Sequence, residues 1–352
     1  MPPAHLPARF VPADNRLTVA AAHRLAREGT ALLWRGDYPQ ARRLLTALGR
    51  RLDRHPPRPA GDPAEAFHRH RRARRHRARV LGHLLVALDA DYRLDLRRAP
   101  DVREACREAF GPATGPSVLP LSELLGVLAA HQWRVRGVPV AALGARIHPH
   151  YGVFPPTRNE YVDLVAQAPF PARARTAFDL GTGTGVLAAV LARRGVGRIV
   201  ATDSNPRALD CARDNAARLG LGAVIEVAGP ALYPDGRADL VVANPPWLPE
   251  NPVSALEEGV YDPGSRMLRG VLAGLSAHLT PAGEGWLVLS DLAERLGLRT
   301  RAELLDGIDG AGLRVAGRLD TAPRHRKAAD PHDPLHTARA GEVVSLWRLR
   351  PA

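Results

Sequence analysis

Hydrophobic positions in residues 1–145 recur mostly at spacings of three and four, which is the pattern of one buried helix face. Helices are predicted at residues 16–52, 64–88, 100–111 and 122–137, the first with a break at Gly36-Asp37-Tyr38-Pro39. A loop rich in Pro and Gly, residues 53–63, separates the first two. The pattern predicts a mainly helical N-terminal domain over residues 1–145.

From Thr176 onwards, short apolar runs alternate with helical patterns. Strands are predicted at residues 176–181, 198–203, 223–229, 238–245, 283–291, 314–319 and 342–349, and helices at 186–195, 206–220, 266–279 and 300–312. This alternation predicts an α/β domain over residues 146–352, with a mostly parallel sheet covered by helices on both faces. Residues 321–341 show no obvious helical pattern, so the last two strands are expected to pair antiparallel. Functional residues are then expected beyond the carboxyl ends of the parallel strands.

The composition agrees with a two-domain globular protein and argues against a membrane, secreted or disulfide-rich protein. The chain has 352 residues, of which 45% are hydrophobic and 24% charged. No uncharged apolar run approaches the roughly 18 residues of a membrane span, and the first residues lack the apolar core of a signal peptide. Cys106 and Cys211 lie far apart without metal-ligating neighbours, so neither a disulfide framework nor a zinc site is expected. These features predict a cytoplasmic protein.

The net charge of +13 and the pI near 10.9 suit a polyanionic partner such as RNA, DNA or a ribosome. The segment His68–Arg79 is the extreme case, with seven arginines and three histidines in twelve residues. It is interpreted either as a helix that contacts nucleic-acid phosphates or as a solvated helix enriched in Arg by GC-rich coding. Lys327 is the only lysine, which keeps the second interpretation open.

A second polar segment combines His325, His332 and His336 with Asp330 and Asp333. Its spacing matches no closed metal site, so we predict no metal here and expect a loop near the rim of the active site.

The candidate cofactor site begins at the glycine-rich turn Asp179-Leu180-Gly181-Thr182-Gly183-Thr184-Gly185, between a predicted strand and a predicted helix. Glycines at such a turn allow positive φ and close approach of a ligand. The carboxylate of Asp179 can meet a cationic amine or a ribose group, and Asp203, at the end of the next strand, can bind a ribose diol. The glycine spacing differs from that of dinucleotide sites, and Asp179 would repel a pyrophosphate. The pattern therefore favours a cationic nucleoside without phosphate.

On these motifs, residues 176–290 resemble a class I S-adenosylmethionine-dependent methyltransferase. The resemblance implies a Rossmann-like domain whose seven-stranded sheet is mostly parallel with an antiparallel last strand, and S-adenosyl-L-methionine as the cofactor. The implied cofactor-binding residues are Asp179, Gly181, Thr182, Gly183, Gly185, Asp203, Ser204 and Asn244. A nucleotide-binding α/β domain of another kind is the alternative.

The stretch Asn244-Pro245-Pro246-Trp247 follows the predicted strand 238–245 and cannot continue it, since proline has a fixed φ and no N–H. In the family that the chain resembles, Asn-Pro-Pro-aromatic at this point marks enzymes that methylate planar nitrogens. The Asn244 side-chain oxygen and the Pro245 carbonyl can each accept a hydrogen bond from one N–H of the nitrogen that receives the methyl group. Trp247 can stack on the planar group that carries this nitrogen. The alternative is a rigid turn with Trp247 in the core.

Two further segments resemble the HemK/PrmC-like group, which methylates a protein glutamine amide. Residues 254–283 resemble the stretch after its motif, and residues 152–165 occupy the place of a segment that packs over the cofactor. Pro156, Thr157, Arg158 and Glu160 are that segment's nearest equivalents, although their order differs. Gly229 is a departure from this group, whose members often have an acidic residue at this position, before the loop that contacts the adenine.

The expected activity is N-methylation of a planar nitrogen, with the N-terminal domain recognising a protein or nucleic-acid acceptor. Tyr151, Phe154, Thr157 and Arg158 are the candidate acceptor-pocket residues. The alternatives are an RNA or DNA base amine (adenine N6 or guanine N2), a small metabolite, or a catalytically silent nucleic-acid-binding scaffold.

Overall fold

The computed structural model describes residues 9–54, 61–171, 174–324 and 326–352. The chain divides into two units, one within residues 1–60 and 65–134, the other within 61–64 and 135–352. The division at residue 134 precedes the boundary expected at residue 145, since the hairpin over 138–147 belongs to the second unit. Among the helices in the described ranges, none is long and apolar enough to cross a membrane.

The N-terminal unit alternates helices with short strands. Its elements are β1 (Phe10–Ala13), α1 (Val19–Arg27), β2 (Ala31–Trp34), α2 (Tyr38–Asp53), α3 (Pro63–Gly82), β3 (Leu84–Leu88), α4 (Arg103–Phe110), β4 (Ser117–Pro120) and α5 (Leu121–Arg136). The strands form one sheet in the order β1-β2-β3-β4, parallel except for the antiparallel β3–β4 pair. Helical residues outnumber strand residues, as predicted, but the hydrophobic pattern did not predict the sheet.

Two of these strands lie where the sequence predicts continuous helix. Residues 31–34, Ala-Leu-Leu-Trp, are all buried and form the second strand, whereas the prediction places them in a helix over 16–52. Residues 84–88 form the third strand one residue after α3, which ends at Gly82 rather than at residue 88. Strands that are buried on both faces carry uninterrupted apolar runs, which periodicity cannot tell from a piece of buried helix.

The second unit contains the predicted α/β domain. Its elements are β5 (Val138–Val140), β6 (Ala145–Ile147), α6 (Glu160–Gln167), β7 (Thr176–Leu180), α7 (Val186–Arg193), β8 (Arg198–Thr202), α8 (Pro206–Arg218), β9 (Ile225–Ala228), β10 (Ala238–Ala243), α9 (Arg266–His278), β11 (Leu279–Ser290), α10 (Leu292–Arg295), α11 (Arg301–Gly310), β12 (Leu313–Thr321), α12 (His336–Ala340) and β13 (Val344–Pro351). The short helix α12 corrects the expectation that residues 321–341 contain none.

Seven strands form the main sheet in the order β12-β13-β11-β10-β7-β8-β9. The strands from β11 to β9 are parallel, and β13 is antiparallel to both β11 and β12. The predicted fold class of this domain, a Rossmann-like sheet that is mostly parallel with an antiparallel last strand, is confirmed.

Both faces of this sheet are buried. On β10, Leu240 and Val242 pack in one core with α6 and α7, while Val241 and Ala243 pack in the other with α9 and α11. This alternation follows from the two-residue period of a strand covered by helices on both sides. The chain order reverses at β7, whose neighbours are β8 and β10. A crevice at the carboxyl ends of these three strands is where ligands of such sheets bind.

Candidate active site

A cavity of about 420 Å³ lies at the carboxyl ends of β7, β8 and β10. One polar side chain comes from each strand end: Asp179 from β7, Asp203 from the residue after β8 and Asn244 from the residue after β10. The other predicted cofactor residues that line it are Gly181, Thr182, Gly183 and Ser204. The volume is typical of sites for small molecules and cofactors.

Asp179 is almost fully buried, with 1% of its surface exposed. Its Oδ2 atom accepts both of its hydrogen bonds, from the Thr182 hydroxyl at 2.6 Å and from the Ala188 N–H at 3.0 Å. Burial raises the pKa of this carboxyl from 3.8 to about 6, the two hydrogen bonds oppose the shift, and the nearby Asp203 charge adds to it. A buried carboxylate held at this cost in a cavity is suited to meeting a cation.

Asp203 is held by backbone donors at the other side of the glycine-rich turn. Its Oδ2 accepts the Gly183 N–H at 3.0 Å and its Oδ1 accepts the Asn205 N–H at 2.9 Å. Burial raises the pKa of this carboxyl above its usual value, against the effect of these hydrogen bonds. The orientation of the carboxylate is therefore fixed by the turn itself.

The turn needs glycine at two points for different reasons. Gly181 has φ +65°, a left-handed conformation that residues with a side chain rarely adopt, and a Cβ there would also displace the end of the Met267 side chain. Gly185 has φ +79° and begins α7, where a Cβ would lie 3.2 Å from the Ala212 Cα. Gly185 therefore shapes the turn without lining the cavity. A cavity with the buried Asp179 carboxylate, the half-buried Asp203 carboxylate and a glycine-rich turn fits the nucleoside and the cationic groups of S-adenosylmethionine.

A second cavity of about 90 Å³ adjoins the first. Phe154, Tyr161, Asn244 and Gly259 line both cavities, so these residues form the boundary between them. The remaining lining residues of the smaller cavity are Arg158, Pro245, Trp247, Leu248, Val260 and Leu292. It is therefore the candidate pocket for the methyl acceptor, with Asn244 between acceptor and cofactor.

Trp247, the predicted stacking residue, lines the smaller cavity and has two further contacts. Its indole N–H donates to the Asn244 Oδ1 at 2.9 Å, and the Arg158 guanidinium carbon lies 4.6 Å from the centre of its ring. The ring also packs against both cores of the domain, which matches part of the alternative interpretation of the motif.

Some predicted residues lie away from both cavities. Tyr151 packs under Arg207, whose guanidinium carbon is 5.7 Å from its ring, and Thr157 is exposed. Neither lines a cavity, whereas Phe154 and Arg158 do.

The polar segment after β12 also lies apart from the two cavities. His332 and His336 line neither of them, and His325 lies outside the described residues. Within the described ranges, no group of three or more His, Cys, Asp or Glu side chains could hold a metal ion.

Several lining residues were not predicted. Glu258, Gly259, Arg266 and Met267 reach the large cavity from the segment after the Asn-Pro-Pro-Trp motif. The Asp262 carboxylate fixes this segment, because it accepts the N–H groups of Met267 and Leu268 at the start of α9. The resemblance of residues 254–283 to a known family was the available signal. Tyr161, beside the segment 152–160, was also missed.

Comparison with known proteins agrees with this geometry. Residues 145–295 match the family model "Methyltransferase small domain". This segment is therefore similar to that family. The resemblance stated from the motifs is thereby confirmed, together with the predicted enzyme class of the domain and its cofactor, S-adenosylmethionine.

Two curated relatives and one solved structure illustrate the similarity. A release factor glutamine methyltransferase from Cereibacter sphaeroides is 34% identical over 170 residues, which are 42% of this chain and 60% of that protein. A ribosomal protein L11 methyltransferase from Tolumonas auensis is 31% identical over 125 residues, 35% of this chain and 43% of that protein. The crystal structure of a ribosomal protein L11 methylase from Lactobacillus delbrueckii is 19% identical with a TM-score of 0.38, covering 54% of this chain and 77% of that one. The chain spans less than two thirds of the length of these two curated relatives.

Proposed function

We propose that this chain is an S-adenosylmethionine-dependent N-methyltransferase whose acceptor is a planar nitrogen, foremost a protein glutamine amide. The observation that carries the proposal is the position of Asn244, which lines the cofactor cavity and the smaller pocket at once. A planar nitrogen held by Asn244 in the smaller pocket faces the larger cavity directly.

The chain's own residues account for the chemistry by orientation. When bound, S-adenosylmethionine supplies a methyl group that is already activated by its sulfonium charge. The Asn244 Oδ1 and the Pro245 carbonyl accept the acceptor's N–H groups, and both bonds strengthen as positive charge develops on the nitrogen. The methylated nitrogen then loses one proton to solvent, so no strong general base is needed.

Asp179 and Asp203 act on the cofactor rather than on the acceptor. Both hydrogen bonds that Asp179 accepts from described residues end on Oδ2, so Oδ1 can meet a cationic group, and the fixed carboxylate of Asp203 favours a ribose diol. Phe154 and Tyr161 close the boundary of the two cavities with apolar surface, which excludes water from the transfer.

The names of the relatives support a protein acceptor, since both name a component of translation and one names a glutamine. Methyl-labelled S-adenosylmethionine with purified release factor and ribosomal protein L11 from Cereibacter sphaeroides tests this directly. Label on a release-factor glutamine is the expected result. Label on L11 or on added RNA instead would overturn the glutamine assignment.

Asn244→Ala tests the role of the side chain in the same assay. We expect turnover to fall by about 10²-fold with cofactor affinity retained, which is the scale for one oriented polar group. Asn251→Ala, the same change in the exposed loop after the motif, is the matched control and should keep wild-type turnover. Equal losses of cofactor binding and turnover in Asn244→Ala would contradict the assigned role.

We propose a nucleic-acid contact as the second candidate function, on the basis of one face of α3. Arg72, Arg75, His76 and Arg79 are exposed, and their spacing of three and four places them on one side of the helix. Neither Arg72 nor Arg75 forms an ion pair with any residue that the structure describes. Since like charges at this spacing destabilise a helix, a phosphate backbone is the partner that this face favours.

The alternative explanation, GC-rich coding, predicts arginines throughout the chain. It does not predict which of these arginines pair with a carboxylate and which do not. Elsewhere in the same unit, Arg97 pairs with Asp37 at 2.6 Å and Arg93 with Asp89 at 3.1 Å. Arg72 and Arg75 differ from these arginines because neither forms an ion pair with a described residue.

Binding to duplex RNA and duplex DNA at increasing salt tests this candidate. The test variant changes Arg72, Arg75 and Arg79 to Gln, and the control changes Arg93, Arg97 and Arg103 to Gln. A plot of the logarithm of the binding constant against the logarithm of the salt concentration should have a shallower slope for the test variant than for the control. The slope should change by about one for each phosphate contact that is lost. Equal salt slopes for the two variants would rule out the α3 face as the binding surface.

A further inference from the structure

Arg158 and Trp247 form a chain of contacts that ends at Asn244. The Arg158 guanidinium carbon is 4.6 Å from the centre of the indole ring, and the indole N–H donates to the Asn244 Oδ1 at 2.9 Å. Arg158 and Trp247 both line the smaller pocket, and Asn244 lines both cavities. A cation within about 6 Å of a tryptophan face is attracted to it.

Arg158 is itself held by two buried carboxylates. Its Nε lies 2.8 Å from Glu160 and its Nη2 lies 3.0 Å from Glu342, and these carboxylate side chains are 1% and 0% exposed. The Ser290 hydroxyl donates to the same Glu342 oxygen at 2.6 Å. The guanidinium is therefore fixed from α6, from the end of β11 and from the residues before β13.

The orientation of the Asn244 amide depends on its partner. The oxygen and the nitrogen of an asparagine side chain have nearly the same shape, so hydrogen-bond partners decide which atom lies where. The indole N–H is a donor only, and it therefore selects the Oδ1 atom. A carbonyl oxygen has two lone pairs, so Oδ1 can keep the indole bond and still accept one N–H from an acceptor.

We infer that Arg158 is a positioning residue that acts through Trp247 to keep the Asn244 carbonyl oxygen directed at the acceptor nitrogen. Arg158 holds the indole plane, the indole N–H holds the Asn244 oxygen, and Asn244 presents its second lone pair to the acceptor. Loss of the stack lets the indole tilt and the amide turn over, which would present an NH₂ group to the acceptor instead. This inference rests on the proposed function only for its effect on turnover.

The first test needs no acceptor. In ¹⁵N-labelled protein the indole signal of Trp247, one of five tryptophans, is identified by its loss in Trp247→Phe. Arg158→Lys keeps the positive charge beside Glu160 and Glu342. It loses the planar guanidinium that stacks on the indole and the two N–H donors that bind both carboxylates at once. We expect it to shift this signal and to speed its hydrogen exchange at least several-fold.

Arg324→Lys is the matched control. Arg324 pairs with Asp163 of α6 at 2.9 Å on the protein's surface, so the same chemical change there should leave the Trp247 signal in place. An unchanged Trp247 signal in Arg158→Lys would overturn the inference. If Arg158→Lys does not fold, Arg158→Gln serves in its place, and the same shift and faster exchange of the Trp247 signal are expected.

The second test uses turnover with the acceptor protein that takes up label. Arg158→Lys should lower kcat roughly tenfold with little change in the affinity for S-adenosylmethionine, since it acts on the acceptor side. In a Trp247→Phe background, which lacks the indole N–H, the same change should cost less than about twofold. Equal costs in both backgrounds would show that Arg158 does not act through Trp247. Absence of any transfer by the wild-type protein, with the exchange result intact, would overturn the proposed function and leave the positioning inference standing.

Discussion

Replacing Asp179 with Asn should make the unliganded protein more stable and the cofactor complex weaker. The change keeps the shape of the side chain, and both existing hydrogen bonds end on one oxygen, Oδ2, which the Asn oxygen can replace. It removes a negative charge that is 1% exposed and has no cationic partner among the interactions described for it.

The magnitude follows from the pKa. With a folded pKa of about 6 against 3.8, ionising Asp179 at pH 7.5 costs the folded state about 3 kcal/mol. Well below pH 3.8 the Asp179 carboxyl is protonated in both the folded and the unfolded state, so folding carries no ionisation cost. The free energy of unfolding then falls as the pH rises from 3.8 through the folded pKa of about 6, and it is constant above that. Asp179→Asn should therefore raise the free energy of unfolding by roughly 2–3 kcal/mol at pH 7.5 and by less at pH 5.

Urea unfolding at the two pH values, followed by circular dichroism, measures this difference. Asp239→Asn is the matched control on β10, because hydrogen bonds from the N–H groups of Arg175 and Thr176 hold the pKa of Asp239 below its usual value despite its partial burial. That variant should be destabilised. If Asp179→Asn is destabilised as much as Asp239→Asn, the assignment of Asp179 as an unpaired buried charge is refuted.

Three further changes test the site and its support. The affinity for S-adenosylmethionine should fall by up to tenfold per pH unit below about pH 6, as Asp179 protonates, and isothermal titration should show no such fall in Asp179→Asn. Gly181→Ala should reduce cofactor affinity at least tenfold and lower the melting temperature, because its φ of +65° is strained for alanine and the displaced end of Met267 lies in the cofactor cavity; wild-type binding would contradict the tight turn. Glu284→Gln should destabilise the domain by about 3–5 kcal/mol, since the buried carboxylate pairs with Arg348, and urea midpoints within error of wild type would disprove this.

The α/β domain was predictable from the sequence because most of its strands, such as β7, β8 and β10, are isolated apolar runs. All seven strands of the main sheet overlap segments that the pattern predicts, although β11 begins at Leu279 rather than at residue 283 and β13 extends to Pro351 rather than to residue 349. Gly, Asp or Asn residues end most of these runs, so the strands cannot be read as continuations of helices. In the N-terminal unit, β3 follows Gly82 after a single residue, and its apolar run continues the helical pattern of α3.

The candidate site was predictable only where a motif marks a strand end. Asp179, Asp203 and Asn244 each lie at such an end, and the parallel sheet brings them together without further information. The role of Trp247 depends on Arg158, which lies far away in the sequence and is fixed by long-range ion pairs. No periodicity or local motif records such a contact.

The order of strands also sets when this domain can become native during synthesis. β13, residues 344–351, lies between β11 and β12, so β12 has no neighbour in the sheet until these last strand residues have been made. Glu342, just before β13, is also the residue that anchors Arg158. A ribosome-bound chain that already carries the whole cofactor turn therefore still exposes the edges of β11 and β12, which invites pairing with other chains. Translation has to run almost to residue 351 before either the sheet or the acceptor pocket is complete.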